Sequence, residues 1–324
     1  MKPLKKEFKA IVDLSALPVE KWRAERMYAQ GYRFIGKHSA VKLCMWNKKA
    51  IRNRGQCYKN KFYGIASHRC VQMSPAAIFC DFNCLHCWRS LQFHLPKENF
   101  EWDKPELIFQ GCIDAYVKII QGFKGQGNKA NPRILEAEKP NHFAISLSGE
   151  PTLYPYLPEL IDIIKSNKMT VFLVTNGAHA QMIEKLVSHQ PTNLYVTLPA
   201  SDEKTFEQEC FPMIDGAWKK IHESLSLFKK FSCRTIIRLT LSRKSNMYSP
   251  EKYAEIIDKY QPDFVECKGY VACGGAREKM GVEAMPFFDE ILDFARKIEK
   301  NSSYKIMNSE KSSRVALLLR NFQS

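Results

Sequence analysis

The sequence has no apolar run approaching ~18 residues, which argues against a membrane-crossing helix. No secretory signal is expected either, because residues 1–13 are lysine-rich and their apolar stretch is too short for one. Without a secretory route structural disulfides are not expected, and the 11 cysteines are an odd number. No internal repeat is visible. Acidic residues are in deficit, 34 against 49 basic, for a net charge of +15. A surplus of that size points to a polyanionic partner, nucleic acid above all, although charge does not separate DNA from RNA. These absences predict a soluble, cytoplasmic protein with no membrane role, and a monomer is expected.

What remains is ample for a packed fold. The chain has 324 residues, 45% of them apolar, enough for one large α/β barrel or two ordinary domains. From about residue 76 the pattern alternates between strand and helix. Strands are expected at 76–79, 143–147, 170–174, 194–198, 235–241 and 264–267, each rich in β-branched, aromatic or other apolar residues. Helices are expected between them at 107–123, 157–166, 181–187, 217–230 and 250–260, with a last one at 286–300 carrying Phe287, Ile291, Phe294 and Ile298 on one face. Residues 124–140 read as an exposed loop, and 315–319 as an extra strand. Six alternating units predict an α/β fold, a partial (β/α)6 TIM-like barrel. The division expected is an N-terminal extension over 1–75, a core over 76–300 and a C-terminal extension over 301–324.

In such barrels chemistry collects at the C-terminal strand ends. There the sequence places Cys80-x3-Cys84-x2-Cys87, then Ser148-Gly149-Glu150-Pro151, then Thr175-Asn176-Gly177, then Pro199-Ala200-Ser201-Asp202. Three thiolates on a four-iron cluster leave one iron open, able to chelate the amino and carboxylate groups of S-adenosylmethionine (SAM). The competing reading is a zinc site completed by His86 or His94. Glu150 suits an ammonium group, Gly149 permits close backbone approach, and Thr175 and Asn176 stand where ribose or carboxylate contacts are expected or form a plain Asn-Gly turn.

A second set, Cys44, Cys57 and Cys70, is spaced thirteen and thirteen. It suggests a second four-iron cluster, against the alternatives of zinc or three unrelated cysteines. Lys59 lies beside Cys57; burial would lower its pKa and let its amine attack a keto acid. The other cysteines, Cys112, Cys210, Cys233, Cys267 and Cys273, read as core residues.

The Cys80 spacing resembles the radical SAM signature, and Ser148-Gly149-Glu150-Pro151 resembles that superfamily's Gly-Gly-Glu motif. The two cysteine sets together, with Cys57-Tyr58-Lys59, Val174-Thr175-Asn176-Gly177 and Val265-Glu266-Cys267-Lys268-Gly269, resemble the archaeal-type 4-demethylwyosine synthase family, without a flavodoxin module. That resemblance implies a carbon–carbon lyase with two [4Fe-4S] clusters and SAM. The substrate would be tRNA(Phe) bearing N1-methylguanosine beside the anticodon, with pyruvate supplying two carbons and an external electron donor the reducing power. Cys44, Cys57, Cys70, Cys80, Cys84 and Cys87 would hold the clusters. Lys59 would form a Schiff base with pyruvate, with Lys61 and Lys268 in reserve. Other readings are a different radical SAM RNA-modifying enzyme with an auxiliary cluster, and a zinc-bound RNA-binding protein. The lysines of 1–13 and of 124–133 are candidate RNA-backbone contacts.

Overall fold

Along the strand Arg234–Leu241, successive side chains enter two different worlds. Ile237, Leu239 and Leu241 join the main core beneath the surrounding helices. Ile236 belongs to a separate small cluster, and Arg238 and Thr240 line a cavity. This period of two is the strand's own, and it gives a sheet with helices on its outer face and a lumen on its inner one. A computed structural model describes residues 14–89, 94–125, 131–243 and 245–320. The basic stretch 1–13 and residues 126–130 of the basic loop lie outside the described residues.

Among the described residues ten strands form one sheet: β1 Arg33–Ile35, β2 Ser39–Val41, β3 Cys70–Ser74, β4 His142–Ile145, β5 Thr170–Thr175, β6 Asn193–Thr197, β7 Arg234–Leu241, β8 Phe264–Gly269, β9 Tyr304–Glu310 and β10 Val315–Arg320. Their order is β1-β2-β3-β4-β5-β6-β7-β8-β10-β9. The run from β3 to β8 is parallel throughout. β1 and β2 extend it antiparallel at one edge, and β10 and β9 at the other. Six parallel strands with intervening helices make the partial barrel expected from the sequence. Among the described residues no helix is long and apolar enough to cross a membrane.

Five differences from the sequence expectations have physical causes. The first parallel strand is β3, not 76–79. Ala76, Ala77, Ile78 and Phe79 are buried in a turn beside the second apolar cluster, and a short apolar run does not distinguish a buried strand from a buried turn. Pro132–Ala137 is a helix inside the expected loop, started by Asn131, whose side chain accepts from Arg133 N, and held by buried Ile134 and Ala137. The last helix, Phe288–Lys300, buries Ile291, Phe294, Ala295 and Ile298, but Phe287 stands before it as the N-cap and is 68% exposed. Cys273 is exposed rather than core, and Cys233 only half-buried. The region before β3, which shows little periodicity, holds β1, β2 and three short helices, Lys21–Ala29, Met45–Ile51 and Tyr58–Tyr63, each too short to carry a strong helical pattern.

Candidate active site in the barrel lumen

The C-terminal ends of the parallel strands open onto a cavity of about 310 Å³, within the size range of small-molecule sites. Its wall includes Cys80, Cys84 and Cys87 after β3, Ser148, Gly149 and Glu150 after β4, and Thr175 and Asn176 at the end of β5. Of the fourth expected phrase only Pro199 lines this space; Ala200 and Ser201 are buried away from it, and Asp202 instead caps the helix Glu203–Cys210, accepting from Thr205 N.

The rim is tightly tied. Gly149 has φ +68°, and a Cβ on it would meet the Ala76 carbonyl oxygen at 1.8 Å and that of Phe79 at 2.4 Å. Only glycine fits between the β4 exit and the turn that leads to Cys80. Glu150 N donates to Phe79 O at 2.8 Å, and Ser148 Oγ to Ala77 O at 2.8 Å. The Glu150 carboxyl is buried and accepts from Thr152 N, Thr152 Oγ1 and Thr175 Oγ1 on one oxygen. Its other oxygen accepts from Asn176 N at 2.8 Å, leaving acceptor capacity for one more donor. Burial, and then the neighbouring Asp81, raise its pKa against these hydrogen bonds.

Asp81, which sequence reasoning missed, joins the same rim. Its Oδ1 accepts from Asn176 Nδ2 at 2.7 Å, and its Oδ2 lies 2.9 Å from His179 Nε2. Burial opposes protonation of His179, but the Asp81 carboxylate outweighs it and raises the ring's pKa.

The floor of the lumen is built differently. The helix Tyr58–Tyr63 comes from the chain before β3 and sets Tyr63 against the rings of Phe172, Tyr195 and Phe264. Lys59 sits one turn earlier, 8% exposed, with its ammonium 4.4 Å from the Tyr195 ring centre and 4.9 Å from that of Phe172. Glu266 on β8 accepts from Tyr58 Oη at 3.0 Å, Tyr63 Oη at 2.8 Å and Arg238 Nε at 3.0 Å. Burial alone would raise the Glu266 carboxyl; Arg238 overrides it and holds the group below its ordinary range. Burial, and then Arg238, pull Lys59 down to about 8, and the same two causes bring Lys268 to about 8. Lys268 lines the cavity and donates to Ser313 O at 3.0 Å. Lys61 turns away: half-exposed, it donates to Ser309 O at 2.6 Å on β9.

The second cysteine set belongs to this floor. Cys44 caps Met45–Ile51, its sulfur accepting from Asn47 N at 3.3 Å, and Cys57 caps Tyr58–Tyr63. Asn47 Nδ2 donates to Cys70 O at 3.0 Å. After burial, Cys44 raises the pKa of Cys57 and of Cys70, Cys57 raises that of Cys70, and Cys84 raises those of Cys80 and Cys87. Burial comes first among the causes for Cys57 and Cys87, pushing each to about 11. Buried thiols of this kind ionise when a metal takes them. Among the described residues no three His, Cys, Asp or Glu side chains converge on a point for a single ion. An iron–sulfur cluster makes no such demand, since each thiolate binds a different iron. The all-sulfur donor sets, the cavity beside Cys80 and the cradle at Gly149 fit a cluster with SAM against it. His86 neighbours Cys84, and the His94 ring packs edge-on against Phe79.

Sequence reasoning also missed Arg238 and Tyr195, and it quoted Glu266 within Val265-Glu266-Cys267-Lys268-Gly269 without giving it a role. They sit at inward positions of β6, β7 and β8, which a period-two reading from Lys268 back to Glu266 would have marked.

A family model described as wyosine base formation matches residues 259–320. The chain is 41% identical over 295 residues to an S-adenosyl-L-methionine-dependent tRNA 4-demethylwyosine synthase of Pyrococcus abyssi, covering 90% of this chain and 86% of that one. It is 40% identical over 299 residues to the protein of the same name from Methanocaldococcus jannaschii, covering 89% and 93%. A solved structure described as TYW1 with a lysine-pyruvate adduct bound superposes with a TM-score of 0.84 at 38% identity, covering 94% of this chain and 97% of that one.

Proposed function

We propose, from the premise that this chain belongs to the S-adenosyl-L-methionine-dependent tRNA 4-demethylwyosine synthase family and is a radical SAM enzyme, that it condenses N1-methylguanosine of tRNA(Phe) with pyruvate to form the tricyclic base. The observation that carries the reading is Lys59, a buried amine held on two aromatic rings beside Cys57 and Cys70. In this reading Cys80, Cys84 and Cys87 hold one four-iron cluster and Cys44, Cys57 and Cys70 a second; with SAM the first supplies a 5′-deoxyadenosyl radical, and the second an open iron for a keto acid.

The chain's own residues do the rest. The Lys59 amine attacks the keto carbon of pyruvate, and loss of water leaves a Schiff base. The Tyr195 and Phe172 rings keep that amine out of bulk water and fix its direction. Tyr58, Tyr63 and Arg238 hold Glu266 as a carboxylate, so the floor carries paired charge and Glu266 is no competing acid. Glu150 offers its spare acceptor to the SAM ammonium. Gly149 lets the rim backbone close on the ligand, and Thr175 and Asn176 fix the Glu150 rotamer. Asp81 and His179 brace the turn that carries Cys80. A solved relative with a lysine-pyruvate adduct supports the amine chemistry, and the +15 charge supports an RNA substrate. An external one-electron donor completes the requirement.

The test is an anaerobic incubation of the cluster-loaded protein with SAM, pyruvate, a reductant and N1-methylguanosine-containing tRNA(Phe). Nucleosides are read by mass spectrometry, and the protein is treated with borohydride to reduce any Schiff base. The wild type forms the tricyclic nucleoside and a trapped lysine adduct mapping to residue 59. Lys59→Ala forms neither, yet still cleaves SAM. 5′-Deoxyadenosine without modified nucleoside in the wild type sinks the substrate assignment.

A further inference from the structure

Arg89 follows the Cys80 set and lies in the wall of the same cavity. It is 3% exposed, and its three guanidinium nitrogens find no hydrogen-bond partner among the described residues. The guanidinium rests instead on the rings of Trp88 and Tyr32. A buried, unpaired guanidinium is costly, and its planar fork is shaped for two oxygens of one anion.

The surroundings say which anion. Beside the cavity runs a second groove that shares Trp88, Val271 and Cys273 with it. Lys42, Lys48, Lys49, Arg52 and Arg54 line this groove, and no Asp or Glu does. Lys42 bridges the two spaces, its ammonium 4.8 Å from the Tyr32 ring centre and 5.2 Å from that of Trp88. A small carboxylate needs one cation and no track. A groove lined by basic residues and no acid, leading to a buried guanidinium without a hydrogen-bond partner among the described residues, suits a polyanionic strand whose end turns inward.

We propose that Arg89 receives a phosphodiester of the RNA substrate where the basic groove enters the cavity, so that the backbone lies along Met45–Ile51 and the reacting base turns into the lumen. A base acted on by a positioned radical must leave its stack, and a fixed phosphate next to it holds it out. The inference rests on the RNA-substrate reading above and adds the place where the strand is gripped.

The test uses the full, cluster-loaded protein with Arg89→Gln and Arg89→Lys. Binding of N1-methylguanosine-containing tRNA is followed by fluorescence anisotropy across a salt series, SAM binding by equilibrium dialysis, and the pyruvate adduct by borohydride trapping. Arg89→Gln weakens tRNA binding about tenfold and flattens the log–log salt slope by about one unit. Arg89→Lys keeps the slope and recovers part of the affinity, and both variants bind SAM and trap pyruvate as the wild type does. Unchanged tRNA binding with weakened SAM binding or adduct formation overturns the proposal and makes Arg89 a carboxylate ligand of a small substrate. If the wild type itself does not bind the tRNA, the substrate reading falls and takes this inference with it. Should Arg89→Gln unfold, Lys48→Glu with Arg54→Glu on the exposed groove carries the same readout, and unchanged tRNA affinity there overturns the proposal.

Discussion

Glu150 on the rim and Glu266 on the floor are both buried, at 2% and 0% exposure, yet their pKa values move in opposite directions. Glu150 is surrounded by hydroxyls and backbone amides, with another acid, Asp81, nearby. Hydrogen bonds without a cation do not offset the loss of water, and its pKa rises. Glu266 has the Arg238 guanidinium at 3.0 Å and two tyrosine hydroxyls, and its pKa falls. The lesson is that burial does not set a carboxyl's character; the sign of its closest charged neighbour does. The rim can therefore receive a cation from outside, while the floor's carboxylate is already neutralised by Arg238 beside the buried Lys59 amine.

The largest effect expected of this contrast is at Glu266. Glu266→Gln strands the Arg238 charge in the lumen. Breaking a buried pair from one side costs on the order of 3–5 kcal/mol, read as a shift in the denaturation midpoint. The pH dependence follows from the direction of the shift. A carboxyl with a depressed folded pKa adds stability above its unfolded pKa of ~4.3 and loses it as pH falls through the folded value. The penalty of Glu266→Gln is thus full at neutral pH and shrinks in acid. A penalty independent of pH, or under 1 kcal/mol, would mean that the floor is not held by charge.

The next effect is steric and belongs to the rim. Gly149→Ala places a methyl where two carbonyls stand at 1.8 and 2.4 Å, at a φ of +68°. Left-handed strain and overpacking together cost roughly 2–4 kcal/mol, and the turn carrying Cys80 is displaced. The measurement is the iron content after anaerobic reconstitution, compared with Gly64→Ala, where φ is +74° but nothing lies within 4 Å. Equal iron in the two variants would show that backbone strain alone, not the Ala76–Gly149 contact, matters.

These two regions also divide what could be read in the sequence. The rim is made of short contiguous phrases, Cys80 to Cys87, Ser148 to Glu150 and Thr175 to Asn176, the last two set by strand ends and the first by the buried turn after β3, so pattern and barrel logic together led to one place. The strand series was legible for the same reason, since β-branched runs recur with helices between them. The floor was not. Tyr58 and Glu266 are separated by 208 positions, and Tyr63 and Glu266 by 203. Nothing local announces that a two-turn helix from the start of the chain will fill a lumen formed by strands far downstream. Arg89 escaped notice because the sequence shows a basic residue but not its burial. The resemblance put Lys59 first with Lys61 and Lys268 in reserve; the placed helix sets Lys59 against the Tyr195 and Phe172 rings and sends Lys61 out to β9.

The smallest effect is the one that most sharpens the contrast. Glu150→Gln keeps the oxygen that accepts three donors but turns an amide toward Asn176 N, leaving one buried donor unmet at a cost of about 1 kcal/mol. Against that, it removes a charge that burial makes unwelcome. A carboxyl with a raised folded pKa adds stability below its unfolded value and loses it as pH rises through the folded one. Wild type therefore gains on the variant as pH falls, and the cost of Glu150→Gln is least in mild alkali and grows toward acid. That slope is opposite to the slope for Glu266→Gln. Urea midpoints for both variants between pH 4 and pH 9 decide the matter, because a shared slope would mean that the same charges act on both glutamates and that rim and floor form one electrostatic environment.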